Sequence, residues 1–152
     1  IKINQEDNMS DSVALLLMSH GNFAKAAIDS AELIVGKQTN FETLGVYTVD
    51  DVEVLKEEMF QKISSLDTTK GLVVLTDIIG GTPINLASQL LSQEKVVVVS
   101  GLNLPMLLEV LMNRGQQIES LAAVLKTAYD QGFSVRTKQD LIEEGEEDDY
   151  SL

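Results

Sequence analysis

Gly71-Leu72-Val73-Val74-Leu75-Thr76-Asp77-Ile78-Ile79-Gly80-Gly81-Thr82-Pro83 is the stretch whose reading decides the fold. It begins as a short apolar run with paired valines, bounded by Gly71. Such a run reads as a strand buried on both faces. The run ends on an acid, Asp77. Two glycines follow, then Thr82, a good helix N-cap, and Pro83, whose missing N–H costs nothing at the first helical position. A strand therefore delivers a carboxylate to its C-terminal end, and the next turn opens a helix whose free N–H groups point back at the same place. Helix N-termini attract anions, phosphate above all. In open α/β sheets, ligands bind beyond the carboxyl ends of the strands.

The sequence on either side repeats this pattern. Val13-Ala14-Leu15-Leu16-Leu17-Met18 is a second buried-strand run, and it stops at Ser19-His20-Gly21-Asn22. From Phe23 to about Val35, Phe23, Ala26, Ala27, Ala31 and Ile34 recur at helical steps, and Gly36 closes the helix. Residues 41–47 read as a more peripheral strand. Asp50 or Asp51 then caps a helix to about Leu66, with Val54, Leu55, Met59, Phe60 and Ile63 on one face. The helix opened at Thr82 carries Ile84, Leu86, Ala87, Leu90 and Leu91. Four consecutive valines, Val96–Val99, make a fourth strand. Ser100-Gly101-Leu102-Asn103-Leu104-Pro105 turns into a helix to about Met112, Asn113-Arg114-Gly115 breaks it, and a further helix spans about Ile118 to Asp130. Phe133–Arg136 alternates as a short edge strand, antiparallel or exchanged with another chain. The expected fold is α/β: a doubly wound, mostly parallel sheet with helices on both faces.

The length of 152 residues fits one domain. Residues 1–12 read as a disordered leader, with Met9 a candidate natural start; 13–136 form the domain; 137–152 form an acidic tail. The net charge of −13 is concentrated at the ends: residues 137–152 hold seven acids and one Lys. The run from Glu143 to Asp149 is expected to repel itself and stay solvated and disordered. A chain this acidic does not bind nucleic acid by neutralising phosphates, and a basic protein partner suits it better. With no cysteine, disulfides and thiolate sites are excluded. No apolar run approaches the roughly 20 residues that span a bilayer. The expected location is the cytoplasm.

Three strand ends carry polar groups: Ser19-His20-Gly21, Asp77 with Gly80-Gly81-Thr82, and Ser100-Gly101-Asn103. In a doubly wound sheet the first and third strands are often neighbours at the switch point, which brings His20 to Asp77. A carboxylate fixes the tautomer of a histidine and leaves its other nitrogen free as a nucleophile. That nitrogen can attack phosphorus, while N–H groups of the following helix hold the phosphoryl oxygens. The plainer readings stand beside this one: His20 as a surface residue, Asp77 as a turn residue, Gly80-Gly81 as loop chemistry, Asn103 and Pro105 as turn formers. No Gly-x-Ser-x-Gly elbow and no phosphate-binding Gly-x-x-x-x-Gly-Lys-Ser/Thr loop is present. Metal ligation would need carboxylates around the single histidine, and Asp77 is the only acid there. A two-component receiver needs acids after the first strand, where this chain has Ser19-His20.

These segments, in this order and spacing, resemble the IIA component of the mannose-type bacterial sugar phosphotransferase system. The resemblance runs from Val13 to about Arg136 and is carried by Ser19-His20-Gly21, Leu66-Asp67-Thr68-Thr69-Lys70-Gly71, Thr76–Asn85 and Ser100–Leu107. It implies that His20 is phosphorylated on Nε2 while Asp77 holds Nδ1. It implies that Gly81 and Thr82 line the phosphate site, and that Gly21, Asn103 and Pro105 line the cleft. The phosphoryl group would come from the phosphocarrier protein HPr and pass to a IIB component, here a separate protein, with no cofactor and no metal. The resemblance also implies a homodimer in which the last strand is exchanged. Two rivals remain at this point: a related IIA-like module of a transcription regulator, whose phosphorylation is a signal, and a flavodoxin-like cofactor binder.

Overall fold

The computed structural model describes residues 11–48 and 51–151. Four strands are present among them: β1 (Ala14–His20), β2 (Phe41–Val46), β3 (Leu72–Thr76) and β4 (Val96–Ser100). They form one sheet in the order β2-β1-β3-β4, and every pairing is parallel. The order reverses between β1 and β3, so the switch point lies where the sequence pattern places it. Among the same residues six α-helices connect and flank the strands: α1 (Phe23–Val35), α2 (Val52–Ser64), α3 (Thr82–Ser88), α4 (Leu104–Met112), α5 (Ile118–Gln131) and α6 (Lys138–Ser151). A 3-10 turn, Gln89–Ser92, extends α3.

The two central strands are apolar throughout because both of their faces are covered. Leu15, Leu17, Val73 and Leu75 pack under α1, α4 and α5, against Ile28, Met106, Leu107 and Leu121. Leu16, Met18, Leu72 and Val74 pack on the other side against Leu55 and Met59 of α2 and Leu86 of α3. Each fully buried Leu or Met contributes about 1.5–3 kcal/mol relative to exposure. The same alternation sends Ser19 into the first layer and His20 toward the second. None of the helices among the described residues is long and apolar enough to cross a membrane.

At the N-terminal edge of the sheet Arg114 is buried, 6% exposed, and no carboxylate among the described residues pairs with it. Its guanidinium donates to the carbonyls of Val13 (3.1 and 3.0 Å), Thr39 (2.6 Å) and Asn40 (2.6 Å). Burial lowers its pKa to about 10, so it remains charged at neutral pH. Asn40, left-handed at φ 54°, ties the same edge to the turn before β3 through Asp67 N–H (2.8 Å) and the Asp67 carbonyl (2.9 Å).

Four expectations are corrected. Of the two readings of Phe133–Arg136, the edge strand within this chain does not form: 133–137 has no regular structure, and Phe133 and Val135 stand exposed, whereas exchange concerns a second copy. The β4 edge beside which a fifth strand would lie is unpaired within the chain. The acidic tail is a helix through Ser151 rather than a disordered end. Thr137 and Asp140 form a reciprocal cap, Thr137 N–H and Oγ1–H donating to the Asp140 carboxylate and Asp140 N–H to Thr137 Oγ1, and Arg136 pairs with Glu144. That box offsets charge repulsion at the helix start. Third, the N-cap of α3 is Gly81, not Thr82: the Gly81 carbonyl accepts from Asn85 N–H (3.1 Å), Thr82 is the first helical residue and Pro83 the second. Fourth, the buried face of α1 is Ala24, Ile28 and Ala31, while Phe23 and Ile34 are exposed. Asp51 caps α2 by accepting from Glu53 N–H (2.8 Å); Asp50 and residues 1–10 of the expected leader lie outside the described residues.

Candidate functional site

β1 and β3 run side by side, with Met18 opposite Thr76, so the residues just beyond them converge. His20 ends β1 and Asp77 follows β3. One carboxylate oxygen, Asp77 Oδ2, accepts both the backbone N–H of His20 (2.9 Å) and a bond from the His20 ring at Nδ1 (2.8 Å). The other, Oδ1, accepts from Ile78 N–H (2.9 Å). Partial burial on its own would raise the Asp77 pKa. The backbone and side-chain bonds from His20, with that from Ile78, outweigh it and hold the carboxyl below its ordinary value. An ionised carboxylate only accepts, which assigns the ring proton to Nδ1 and leaves the lone pair on Nε2. The Asp77 side chain is largely covered, whereas half of the His20 side chain is exposed. The acid is shielded and the free ring nitrogen is accessible.

The start of α3 comes up against that free nitrogen. A Cβ on Gly81 would stand 2.6 Å from His20 Cε1 and 3.1 Å from Nε2. Gly80, at φ 85°, makes the left-handed turn that brings this backbone in. His20, Gly21 and Thr82 line a cleft of about 470 Å³ with Val46, Tyr47, Thr48, Val52 and Leu55. On the other side of Asp77, a second cavity of about 620 Å³ is bounded by Ile78 and Ile79, the end of β4 at Val99-Ser100-Gly101, and Leu125 and Tyr129 of α5. Ile78 and Ile79 are both exposed, so an apolar lip stands beside the His–Asp pair.

The structure thus gathers His20, Asp77, Gly21, Gly81 and Thr82. It does not bring Asn103 and Pro105 to the same place. Asn103 is the N-cap of α4, its side chain accepting from Met106 N–H (2.9 Å), and Pro105 packs against Gly132. Neither lines either cavity. Gly45, Tyr47 and Val52 went unnoticed in the sequence. Tyr47 and Val52 line the cleft from the end of β2 and the start of α2, and Gly45 stands beside the His20 turn through the parallel pairing of β2 with β1; a glycine inside a strand is the one sign of this in the sequence.

Known proteins resemble this chain in sequence and in fold. The family described as "PTS system fructose IIA component" matches residues 14–128. The mannose-specific EIIAB component of the phosphotransferase system from Escherichia coli K12 is 36% identical over 104 residues, 68% of this chain and 32% of that protein. The chain therefore spans about a third of the length of that relative. The fructose-specific EIIA component from Bacillus subtilis is 29% identical over 125 residues, 81% of this chain and 86% of that one. Among solved structures, the PTS IIA protein associated with the fucose utilization operon of Streptococcus pneumoniae superposes with a TM-score of 0.75 at 34% identity, covering 86% of this chain and 96% of that one. A sigma-54 interaction domain protein from Enterococcus faecalis, with a TM-score of 0.68 over 79% of this chain and 92% of its own at 14% identity, shares the fold alone.

Proposed function

Because the chain belongs to the PTS fructose IIA component family, we propose that it is a phosphohistidine carrier in sugar uptake, taking a phosphoryl group from HPr on His20 Nε2 and passing it to a IIB component. The observation that carries this reading is the 2.8 Å bond between His20 Nδ1 and Asp77 Oδ2. With Nδ1–H donated to the carboxylate, the Nε2 lone pair attacks the phosphorus of the donor phosphohistidine. The N–P bond of the donor breaks as the His20 N–P bond forms, and the electron pair leaves with the donor ring. Positive charge developing on the His20 ring is stabilised by Asp77, and no proton need move. The second transfer is the same step in the opposite sense of donor and acceptor. On this reading the backbone N–H groups of Gly81 and Thr82, at the start of α3 where helical N–H groups have no partner within the helix, hold the equatorial oxygens. Neither step calls for a nucleotide, cofactor or metal.

The exposed apolar lip at Ile78 and Ile79, on a chain of net charge −13, suits a docking partner with a basic rim and apolar centre. The open edge of β4 and the exposed Phe133 and Val135 support a homodimer in which residues 133–136 of each copy pair with the other's β4. On this reading the protein works in the cytoplasm. The regulatory rival rests on a shared fold at low identity, and no residue of the site favours it.

The test is intact mass after incubation with phosphoenolpyruvate, enzyme I and HPr. A gain of one phosphoryl group that survives base but not acid, and is absent in His20→Ala, is expected. Phosphorylation of His20→Ala to the level of the parent would overturn the assignment.

A further inference from the structure

Resting on the phosphocarrier reading, we propose that Ser19 and Gly45 are positioning residues, which fix the His20 turn from two sides and so set where Nε2 meets the incoming phosphoryl group. Ser19 precedes His20 on β1 and is fully buried on the opposite face of the sheet. Its Oγ accepts from Ala24 N–H (2.8 Å) in the first turn of α1 and donates to the Gly21 carbonyl (3.4 Å). Asn22, the residue at the N-cap of α1, makes no side-chain cap. The strand therefore caps the helix across the turn, and the two ends of the His20 loop are tied together.

On the other side lies β2. Gly45 is the register partner of Ser19, and Gly21 N–H donates to the Val46 carbonyl (2.8 Å). A Cβ on Gly45 would fall 2.5 Å from the Gly21 carbonyl oxygen and 3.3 Å from the Tyr47 ring. Gly45 is not among the positive-φ glycines, so it is required there for close approach and not for its backbone conformation. The obstructing atom is backbone, and the turn has no slack. His20 N–H is held by Asp77 at 2.9 Å and Ala24 N–H by Ser19 at 2.8 Å. A methyl group at position 45 must displace the Gly21 peptide, bonded directly to His20, or splay the end of β2. Loss of the Ser19 hydroxyl frees the same turn from the other side. Both changes disturb the Nδ1–Asp77 bond and the seat of Nε2 against Gly81 without touching the ring.

The test uses the full chain and three variants: Gly45→Ala, Ser19→Ala and, as a control for the Gly-to-Ala change itself, Gly115→Ala, where a Cβ meets nothing within 4 Å. Transfer from phospho-HPr is measured as kcat and KM separately. The tautomer of the single histidine is read by 15N NMR of the unphosphorylated protein. The expected result for Gly45→Ala and Ser19→Ala is a fall in kcat of at least about tenfold with KM within about twofold, together with a shift of the ring from Nδ1–H toward a tautomer mixture. Gly115→Ala keeps the parent values. Parent-like kcat and ring spectra in both variants overturn the proposal, as does an equal loss in Gly115→Ala or a loss confined to KM. Should Gly45→Ala fail to fold, Ser19→Ala decides by the same readouts. If the parent takes no phosphoryl group at His20, the carrier reading falls. The ring spectra still judge positioning in that event, and unchanged tautomers in both variants overturn it.

Discussion

Gly81 lies against the edge of the His20 ring so closely that a Cβ at that position would stand 3.1 Å from Nε2, the nitrogen proposed to carry the phosphoryl group. Its backbone, at φ −104° and ψ 175°, is one any residue adopts. The absence of a side chain therefore serves the ring alone. Gly81→Ala keeps every backbone N–H at the start of α3 yet crowds Nε2. The expected outcome is a fall in transfer rate of about 100-fold with melting temperature nearly unchanged. An unimpaired rate, measured by single-turnover transfer from phospho-HPr, would show that the ring has room to swing aside.

Asp77→Asn tests what the carboxylate does. The amide is close in size but cannot stabilise positive charge on the ring; with its oxygen kept on Ile78 N–H, its NH2 group takes the place of Oδ2, gives up the bond from the His20 backbone N–H and donates to Nδ1. The ring proton would then sit on Nε2, the wrong nitrogen for attack. Transfer is expected to fall by about 10²–10⁴-fold, the range in which orienting and charge-stabilising acids act. The tautomer change should be visible by 15N NMR before any phosphoryl donor is added. Full activity with an Nε2–H ring would remove Asp77 from the mechanism.

The Asp77 carboxyl also makes stability depend on pH. Its folded pKa is held below the ordinary value of 3.8. A depressed carboxyl pKa contributes stability that is present above the unfolded pKa and lost as pH falls through the folded one. The difference in urea midpoint between the parent and Asp77→Asn is thus expected to shrink as pH falls below 3.8. A gap that persists unchanged into the acid range would mean that the carboxylate contributes by packing and not by charge.

The parts of this molecule legible in the sequence are those fixed by local pattern. Leu15-Leu16-Leu17 and Leu72–Leu75 are buried on both faces and read as central strands without ambiguity. Once those two are neighbours, His20 and Asp77 must meet, which is why the centre of the site was visible early. The phase of α1 was not, because an alanine-rich helix presents similar small residues on several faces. The large residues Phe23 and Ile34 that suggested a phase are in fact exposed. Asn103 looked like a cleft residue, but its side chain is consumed in capping α4. The role of Gly45 depends on the Gly21 carbonyl in the turn after the neighbouring strand, and no periodicity encodes such a contact. The acidic run hides a helix because its like charges argue for a solvated end, while the Thr137–Asp140 cap that starts the helix is only a short local spacing in the sequence.

Arg114 separates stability from chemistry, since it sits at the N-terminal edge of the sheet, at the far end of β1 from His20. One guanidinium satisfies the carbonyls of Val13, Thr39 and Asn40, which joins the start of β1 to the approach of β2 and the loop after α4. Arg114→Ala removes the donors from the Val13 and Thr39 carbonyls, leaves the Asn40 carbonyl with only the Leu15 N–H, and opens a void among covered residues. A loss of about 2–4 kcal/mol is expected, a fall in melting temperature of roughly 5–15 °C for a chain of this size. Arg114→Lys is expected to recover only part of it, because a single ammonium cannot span three carbonyls in the planar fork that Arg provides. Transfer at 25 °C by the folded fraction should match the parent in both variants. A selective loss of transfer in a fully folded Arg114→Lys protein would show that the two ends of β1 are coupled, and that the edge held by Arg114 helps to set the His20 turn.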